Sequence, residues 1–405
     1  MTRTGLFANP SSIKGEMKLF QVFEYQIKTQ ILYGLNSILK IGEICQQQKL
    51  AKVQIITDSG VAKSGALDSI QQLLKEGKIQ TVVFDEVEAN PTVQTTDKAK
   101  KLFSEENCQG VIALGGGSPM DVGKSVGVLA TNPGSASDYL GPANWGKIKN
   151  PAAPVICIPT TSGTAAEITD VAVLSDPDKK VKLGIFSPYI APAVAFLDPC
   201  LTLSLPPEPT RDSGLDALTH AIESFISIKS WAATNVLNLR AIELVSLHLR
   251  KAVHHGSDIN ARDGMMTASL VAGMAFLNTK LCLVHAITGP LGGFYNLPHG
   301  AANAIVLPHA MRFMLPGAVS KYVNIAEALG EKVEGLSERA AAEKAVEALS
   351  QLSKDVGLPK GLSVYGVKEE RLEKISETAA ANFQNALSPR KASPEEILEI
   401  LRAAI

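Results

Sequence analysis

Hydrophobic and polar positions follow two different patterns along the chain. Between about residues 50 and 200, short apolar runs rich in β-branched residues alternate with longer stretches of helical spacing. This alternation predicts βαβ units and a parallel sheet. The predicted strands cover residues 53–57, 81–84, 110–114, 154–159 and 193–197.

The pattern changes after about residue 205. From there apolar residues recur with a period of 3.6, most clearly over 214–226 and 235–253, which predicts an all-helical second half. The segment LSLPPEPTRDSG at 203–214 is the predicted boundary, with Asp212 or Ser213 capping the next helix. We therefore predict an N-terminal extension over 1–22, an α/β domain over 23–207 and a helical domain over 208–405.

Composition narrows the function without identifying it. A formal net charge of -1, and only seven Tyr and two Trp among 405 residues, disfavour a nucleic-acid partner. Five scattered cysteines without a C-x-x-C pair disfavour a disulfide framework or a zinc ribbon. There is no apolar run of signal-peptide or membrane-span length, so we expect a cytoplasmic protein with no membrane partner.

A glycine-rich turn ends the third predicted strand. VIALGGGSPMDVGKS places three glycines between an apolar run and a helix predicted to begin at Pro119, and the backbone N–H groups of such a turn favour phosphate. A P-loop requires glycine where Ser118 stands, and a G-x-G-x-x-G fingerprint requires it at Met120. The turn therefore predicts a phosphate site of another kind, and a ligand-free structural turn is the alternative.

Two further features suggest a dinucleotide. PTTSGT at 159–164 follows another strand and offers several hydroxyl groups. Asp58 follows the strand VQIIT, where a carboxylate can bind a ribose diol and repel a 2′-phosphate, favouring NAD over NADP. Capping of the next helix is an equally good interpretation of Asp58.

Four residues in the second half could share a metal ion. Asp216 and His220 are four residues apart in a helical pattern, so their side chains leave one face. His285 and His299 follow in LVHAITGPLGGFYNLPHG. Three imidazoles and a carboxylate suit Fe²⁺ or Zn²⁺, although a single histidine is more often structural than a ligand. The remaining histidines, His248, His254, His255 and His309, are predicted to have structural or solvent-exposed roles.

Together these motifs resemble the iron-dependent, or group III, alcohol dehydrogenases over roughly residues 25 to 400. The matching segments, in the family's order and spacing, are GGGSPMDVGK at 115–124, NPT at 90–92, IPTTSGTAAE at 158–167, LDPCLTLSLPP at 197–207, SGLDALTHAIES at 213–224 and LVHAITGPLGGFYNLPHG at 283–300. The resemblance implies a Rossmann-like dinucleotide-binding domain followed by a helical metal-binding domain, as in dehydroquinate synthase, with the active site in the cleft between them. It also implies a homodimer.

The resemblance assigns individual residues as well. It implies metal ligation by Asp216, His220, His285 and His299. It implies cofactor contacts by Asp58, Asn90, Gly116, Gly117, Ser118, Asp121, Thr160, Thr161, Thr164 and Lys182. The cofactors would be NAD, with NADP less favoured, and Fe²⁺, with Zn²⁺ or another divalent ion as alternatives.

The predicted activity is interconversion of a primary alcohol or diol and its aldehyde, with hydride transfer to or from nicotinamide. Some relatives carry a further histidine, suggested as a proton carrier, four residues after the third ligand. That position is Gly289 here, so the proton must leave through water, the cofactor ribose or another group. The competing hypotheses are a metal-dependent hydrolase or phosphatase, a metal-free reductase of the maleylacetate type, a P-loop kinase and a structural protein.

Overall fold

The computed structural model describes residues 22–179 and 181–405, so all but the last residue of the predicted extension lie outside the described residues. A six-stranded parallel sheet lies in the first half, in the order β1-β8-β5-β4-β2-β3, and a separate antiparallel hairpin pairs β6 with β7. The strands are β1 (Gln30–Tyr33), β2 (Lys52–Ile56), β3 (Gln80–Phe84), β4 (Gly110–Gly115), β5 (Val155–Pro159), β6 (Val171–Asp176), β7 (Val181–Phe186) and β8 (Val194–Leu197).

The five predicted strands are confirmed as β2, β3, β4, β5 and β8, whereas β1 and the hairpin were not predicted. The central strands are apolar throughout because both faces of the sheet are covered. Ile112 and Leu114 point into one hydrophobic cluster, and Val111 and Ala113 point into the other.

The order in which strands are added to the sheet reverses at β2, because β3 lies on one side of β2 and β4 lies on the other. In open parallel sheets the carboxyl ends of two such strands form the crevice where ligands bind. Asp58 follows β2 and the glycine turn follows β4, so the topology places both at this crevice.

The helices of the first half are α1 (Ile41–Gln47), α2 (Ser59–Lys63), α3 (Ala66–Glu76), α4 (Val93–Glu105) and α5 (Gly117–Thr131). Those of the second half are α6 (Pro207–Ile226), α7 (Ala232–His254), α8 (Ile259–Thr279), α9 (Leu283–Tyr295), α10 (His299–Met314), α11 (Val319–Ala328), α12 (Glu338–Asp355), α13 (Leu372–Ala380) and α14 (Pro394–Ala404). One hydrophobic cluster runs through this half, as its helical periodicity predicts.

Two predicted helix starts are wrong. Helix α6 begins at Pro207 with Pro206 as its N-cap residue, so Asp212 and Ser213 lie inside the helix and do not cap it. Helix α5 begins at Gly117, two residues before Pro119. Proline fits the first turn of a helix because the N–H groups there have no intrahelical partner. The prolines at the starts of α5 and α6 accordingly fall in the first turn or just before it.

Within residues 22–179 and 181–405, no single helix is long and apolar enough to cross a bilayer. Helices α8 and α9 meet the length and composition criterion only as a pair, and they are bent by 99° relative to each other.

Candidate metal centre and cofactor site

The turn between β4 and α5 presents its backbone because its residues lack side chains. Gly115 has φ of 144°, a conformation that L-residues rarely adopt, and a Cβ there would lie 2.7 Å from Cγ of Pro119. A Cβ on Gly117 would lie 3.0 Å from Cγ2 of Thr164. The turn therefore requires glycine, and it leaves the first N–H groups of a 15-residue helix available to an anion.

The second predicted cofactor segment packs directly against this turn. The backbone N–H of Thr160 donates to the carbonyl of Gly115 over 2.9 Å. A Cβ on Gly116 would lie 3.4 Å from Cγ2 of Thr161, and Thr164 is the neighbour of Gly117. The two glycine- and threonine-rich turns, 45 residues apart in the chain, thus form one continuous surface above the carboxyl ends of β4 and β5.

Asp58 caps a helix and also borders the turn. Its Oδ1 accepts hydrogen bonds from the N–H groups of Gly60 and Val61 at 2.9 and 3.0 Å, as a helix N-cap does. Its Oδ2 lies 3.3 Å from the position a Cβ on Gly115 would take. The capping interpretation is therefore correct, and it leaves one carboxylate oxygen beside the glycine turn, where the predicted ribose contact stays a prediction.

Ser118 is the second residue of α5, and Asp121 follows one turn later. The Asp121 carboxylate lies 3.3 Å from Nζ of Lys124, and burial raises its pKa although Lys124 opposes the shift. Nζ of Lys124 is fully buried and donates to the carbonyl of Ala166 over 2.9 Å. Lys124 therefore anchors the second turn to α5 and is not directed at a phosphate, which agrees with the failed P-loop spacing.

Asn90 and Lys182 form a polar pair at the edge of the helical half. Nζ of Lys182 donates to Oδ1 of Asn90 over 2.6 Å, and Nδ2 of Asn90 donates to Oδ1 of Asn296 over 2.6 Å. Burial lowers the pKa of Lys182, against the opposing effect of Asp121 and Asp216. These two predicted cofactor residues therefore lie between the glycine turn and the metal-ligand candidates.

The four predicted metal ligands converge from three helices. Asp216 and His220 lie on α6, His285 on α9, and His299 begins α10. One ligand atom each from Asp216, His220 and His285 lies within 4.8 Å of the others. The rings of His285 and His299 meet edge to face, with centroids 5.3 Å apart.

Three of these four residues contact the side-chain amide of Asn303. Its Nδ2 atom lies 2.7 Å from Oδ1 of Asp216 and 3.1 Å from Nε2 of both His285 and His299. Its Oδ1 accepts a hydrogen bond from the Thr288 hydroxyl over 2.5 Å. Asn303 was not predicted, although its place four residues after His299 on one helix face was a usable signal.

Hydrogen bonds at the opposite ring nitrogen fix the orientation of two imidazoles. Nδ1 of His220 donates to the carbonyl of Gly163 over 3.2 Å, and Nδ1 of His285 donates to Oε2 of Glu223 over 2.5 Å. With the proton on Nδ1, each Nε2 keeps the lone pair that a metal binds. Glu223 was also missed, though it stands seven residues after Asp216 on the same helix.

The surroundings of His220, His299 and Asp216 favour the ionisation states that bind metal. Burial lowers the pKa of His220, and it lowers the pKa of His299 to about 3 with help from Lys182 and the other imidazoles, so both rings are neutral at pH 7. Burial alone raises the pKa of Asp216, but the three histidines and Asn303 outweigh it and the net pKa is lowered. The donor set thus includes one carboxylate and the neutral imidazoles of His220 and His299.

These donors fit a borderline divalent ion. Imidazole nitrogen with a single carboxylate oxygen suits Fe²⁺ or Zn²⁺, whereas Ca²⁺ and Mg²⁺ prefer more oxygen ligands. The glycine turn fits the pyrophosphate of a dinucleotide on equally local grounds, because its backbone is unobstructed at a helix N-terminus.

The other histidines lie outside this group. His248 packs against Gly264 between α7 and α8, and His254 lies 2.8 Å through Nε2 from the carbonyl of Asp355. At position 289, one turn after His285, no neighbouring heavy atom of residues 22–179 or 181–405 lies within 4 Å of where a Cβ would be. The absence of a side chain at Gly289 therefore leaves open space on the helix that carries a predicted ligand.

A nucleotide-type crevice joined to a buried group of imidazoles and a carboxylate defines a metal-dependent dehydrogenase. The family model described as "Iron-containing alcohol dehydrogenase" matches residues 28–199, and that described as "Fe-containing alcohol dehydrogenase family, C-terminal" matches residues 210–405. The chain belongs to the iron-containing alcohol dehydrogenase family. It is an NAD-linked oxidoreductase that interconverts alcohols or diols and aldehydes, and Fe²⁺ fits the family.

The similarity to known proteins extends over nearly the whole chain. The 1,3-propanediol dehydrogenase of Klebsiella pneumoniae is 40% identical over 387 residues, covering 95% of this chain and 99% of that protein. The NAD-dependent methanol dehydrogenase of Bacillus methanolicus is 35% identical over 372 residues, covering 92% and 97%. The crystal structure of a 1,3-propanediol oxidoreductase superposes with a TM-score of 0.91 at 40% identity, covering 95% of this chain and 100% of that one.

Proposed function

We propose that Asp216, His220, His285 and His299 hold one divalent ion, Fe²⁺ or Zn²⁺, opposite an NAD molecule bound at the glycine turn. The observation that carries this proposal is that Asp216 Oδ1 and the Nε2 atoms of His285 and His299 all lie within 3.1 Å of one atom, Nδ2 of Asn303. The substrate class is a small primary alcohol or diol, since relatives are named as propanediol and methanol dehydrogenases.

Each half of the protein has a separate task in this mechanism. A bound divalent ion supplies positive charge that favours the alkoxide form of an alcohol and polarises an aldehyde, and NAD supplies the hydride chemistry. The backbone of Gly116 and Gly117, with Ser118, binds the pyrophosphate, while Thr160, Thr161 and Thr164 line the neighbouring turn. Asp58 favours the ribose diol of NAD and repels the 2′-phosphate of NADP.

Other residues hold the reacting groups in place. Lys182, with Asn90 as its hydrogen-bond partner, lies between the two sites and contacts the cofactor, and Asp121 supports the turn through Lys124. Gly289 has no side chain to accept a proton, so we expect the proton to leave through water or the cofactor ribose. The proposed mechanism needs no side-chain acid or base from the described residues.

Assembly and location are proposed on more general grounds. We propose a homodimer, as the family resemblance implies. A cytoplasmic location agrees with the cysteines, since Cys45, Cys108, Cys157, Cys200 and Cys282 are all free. Gel filtration with light scattering would test the dimer, and a monomeric mass at working concentrations would contradict it.

The activity is tested by following NADH and NADPH absorbance with a panel of short aldehydes, alcohols and diols. The assay is run on the purified enzyme, after chelation, and after Fe²⁺ or Zn²⁺ is added back. We expect turnover with NADH that disappears on chelation and returns with metal. Turnover that survives complete removal of metal would refute the metal mechanism and favour a metal-free reductase. Absence of turnover with every substrate, with metal present, would refute the proposed substrate class.

A further inference from the structure

Glu223 is a fully buried carboxylate beside the predicted metal centre, and it is not one of the predicted ligands. Asp216, His220 and Glu223 occupy positions i, i+4 and i+7 of helix α6, so their side chains leave the same face of that helix. The helix that supplies two candidate ligands therefore also supplies this third polar group.

Both oxygens of Glu223 contact the start of helix α9. Oε1 accepts a hydrogen bond from the backbone N–H of Val284 over 2.6 Å, and Oε2 accepts from Nδ1 of His285 over 2.5 Å. The backbone N–H of His285 lies 3.4 Å from Oε2. Cys282, the N-cap residue of α9, makes no side-chain cap, so Glu223 caps this helix from another one.

The acceptor behind each imidazole differs in charge. Nδ1 of His220 donates to a neutral backbone carbonyl, that of Gly163, whereas Nδ1 of His285 donates to a carboxylate. A charged acceptor makes a stronger hydrogen bond and makes the opposite nitrogen a stronger electron-pair donor. The two imidazoles are therefore chemically unequal, and Glu223 is the cause.

We propose that Glu223 is a positioning residue of the metal centre, which holds His285 with Nε2 directed at the ion and strengthens it as a donor. The inference rests on the proposed function, since it takes His285 as a ligand. Glu223 does not contact the ion. Its effect passes through one imidazole, so it acts on metal affinity and on the electronic environment of the metal.

The test compares Glu223→Gln with the unchanged protein by metal binding. Val284 and His285 donate to different oxygens of Glu223, and in Gln one of these two positions is an NH2 group, which cannot accept. We expect Zn²⁺ and Co²⁺ affinity, measured by competition with a chromophoric chelator, to fall by about 10- to 100-fold, as is usual when such an outer partner is lost. The visible absorption bands of the Co²⁺ form should shift as well.

Ser224→Ala is the matched control. Ser224 is the next residue of α6 and is equally buried, and its hydroxyl bonds to Thr279 and Asn238, away from the candidate ligands. We expect this variant to lose thermal stability while keeping the metal affinity and the Co²⁺ spectrum of the unchanged protein.

The outcomes separate the two proposals. If the unchanged protein binds neither ion, the metal centre itself is wrong. If it binds metal, and Glu223→Gln lowers the melting temperature of metal-free and metal-loaded protein equally while affinity and spectrum stay constant, Glu223 only caps α9 and the inference is overturned. If Glu223→Gln does not fold, Glu223→Asp, which keeps the charge but shortens the side chain, is measured in the same way. Unchanged affinity and spectrum in that variant would also overturn it.

Discussion

The two halves of this protein prepare their sites by different means. In the first half the predicted cofactor site is formed by backbone N–H groups, which no side chain covers because residues 115–117 are glycines at the end of a buried strand. In the second half the candidate site is formed by side chains from α6, α9 and α10, and hydrogen bonds at Nδ1 orient the rings of His220 and His285. A backbone site depends on the absence of side chains, and a side-chain site depends on their orientation.

The contrast extends to one buried glutamate in each half. Burial raises the pKa of Glu167, at the end of the second cofactor turn, to about 7, although its own backbone N–H and Lys124 oppose the shift. Glu223 is also fully buried, but it accepts hydrogen bonds from Val284 and His285. Glu167 is therefore easily protonated, whereas the equally buried Glu223 has a defined set of hydrogen-bond donors.

The largest expected effect comes from removing one side chain of the metal site. His285→Ala should lose its bound metal and lower kcat/KM by about a thousandfold or more, because several kcal/mol of charge stabilisation disappear. NADH binding, measured by fluorescence titration, should persist because the glycine turn is untouched. His254→Ala, at the exposed end of α7, is the control and should retain metal and activity. An active, metal-loaded His285→Ala enzyme would break the division between the halves.

The reciprocal change adds one methyl group to the backbone site. In Gly117→Ala the new Cβ lies 3.0 Å from Cγ2 of Thr164, so it reduces the space between the two turns. We therefore expect the Kd for NADH to rise about tenfold, equivalent to ~1.4 kcal/mol. Metal content should not change. Gly146→Ala, where no neighbouring heavy atom in the described part of the chain lies within 4 Å of the added Cβ, should bind NADH normally. Loss of metal with NADH affinity intact would reverse the assignment of the two halves.

Asp58 allows its two roles to be separated. Asp58→Ser keeps an N-cap oxygen but removes the charge, so we expect the ratio of kcat/KM for NADPH to that for NADH to rise several-fold at unchanged stability. Asp58→Ala should show the same shift in preference and also lose about 1 kcal/mol of unfolding free energy. An unaltered coenzyme ratio in both variants would leave Asp58 with capping alone.

Glu167 is expected to make the stability of the protein depend on pH. Its folded-state pKa, about 7, lies above the ordinary value of 4.5, so the folded protein keeps a proton that the unfolded chain has released. Its contribution to stability is therefore present below pH 4.5 and is lost as pH rises to 7, at up to about 1.4 kcal/mol per pH unit. Urea unfolding should show Glu167→Gln to be more stable than the unchanged protein at pH 8 and equal to it at pH 4.5. Equal stability at both values would show that this carboxyl group is not shifted.

Much of the fold could be predicted because its signals are local. Strands β4 and β5 are continuous apolar runs, and α6 and α7 show clear helical periodicity. Strand β1 was missed because it is only four residues long and partly exposed at the edge of the sheet, so it has no buried pattern of its own. The hairpin of β6 and β7 lies outside the parallel sheet, so the alternation of strands and helices in βαβ units does not predict it.

The sequence by itself determined the chemistry available: the glycines of the turn, the i, i+4 pair of Asp216 and His220, and two further histidines in an ordered motif. Those features act within a few residues of the chain, where backbone geometry fixes what is adjacent. The tertiary structure alone decided that Asn303 meets three ligand candidates and that Glu223 lies behind His285. The contacts of Asn303 with Asp216 and His285, and of Glu223 with His285, join residues 18 to 87 positions apart, and their geometry depends on how whole helices pack, which local spacing does not encode.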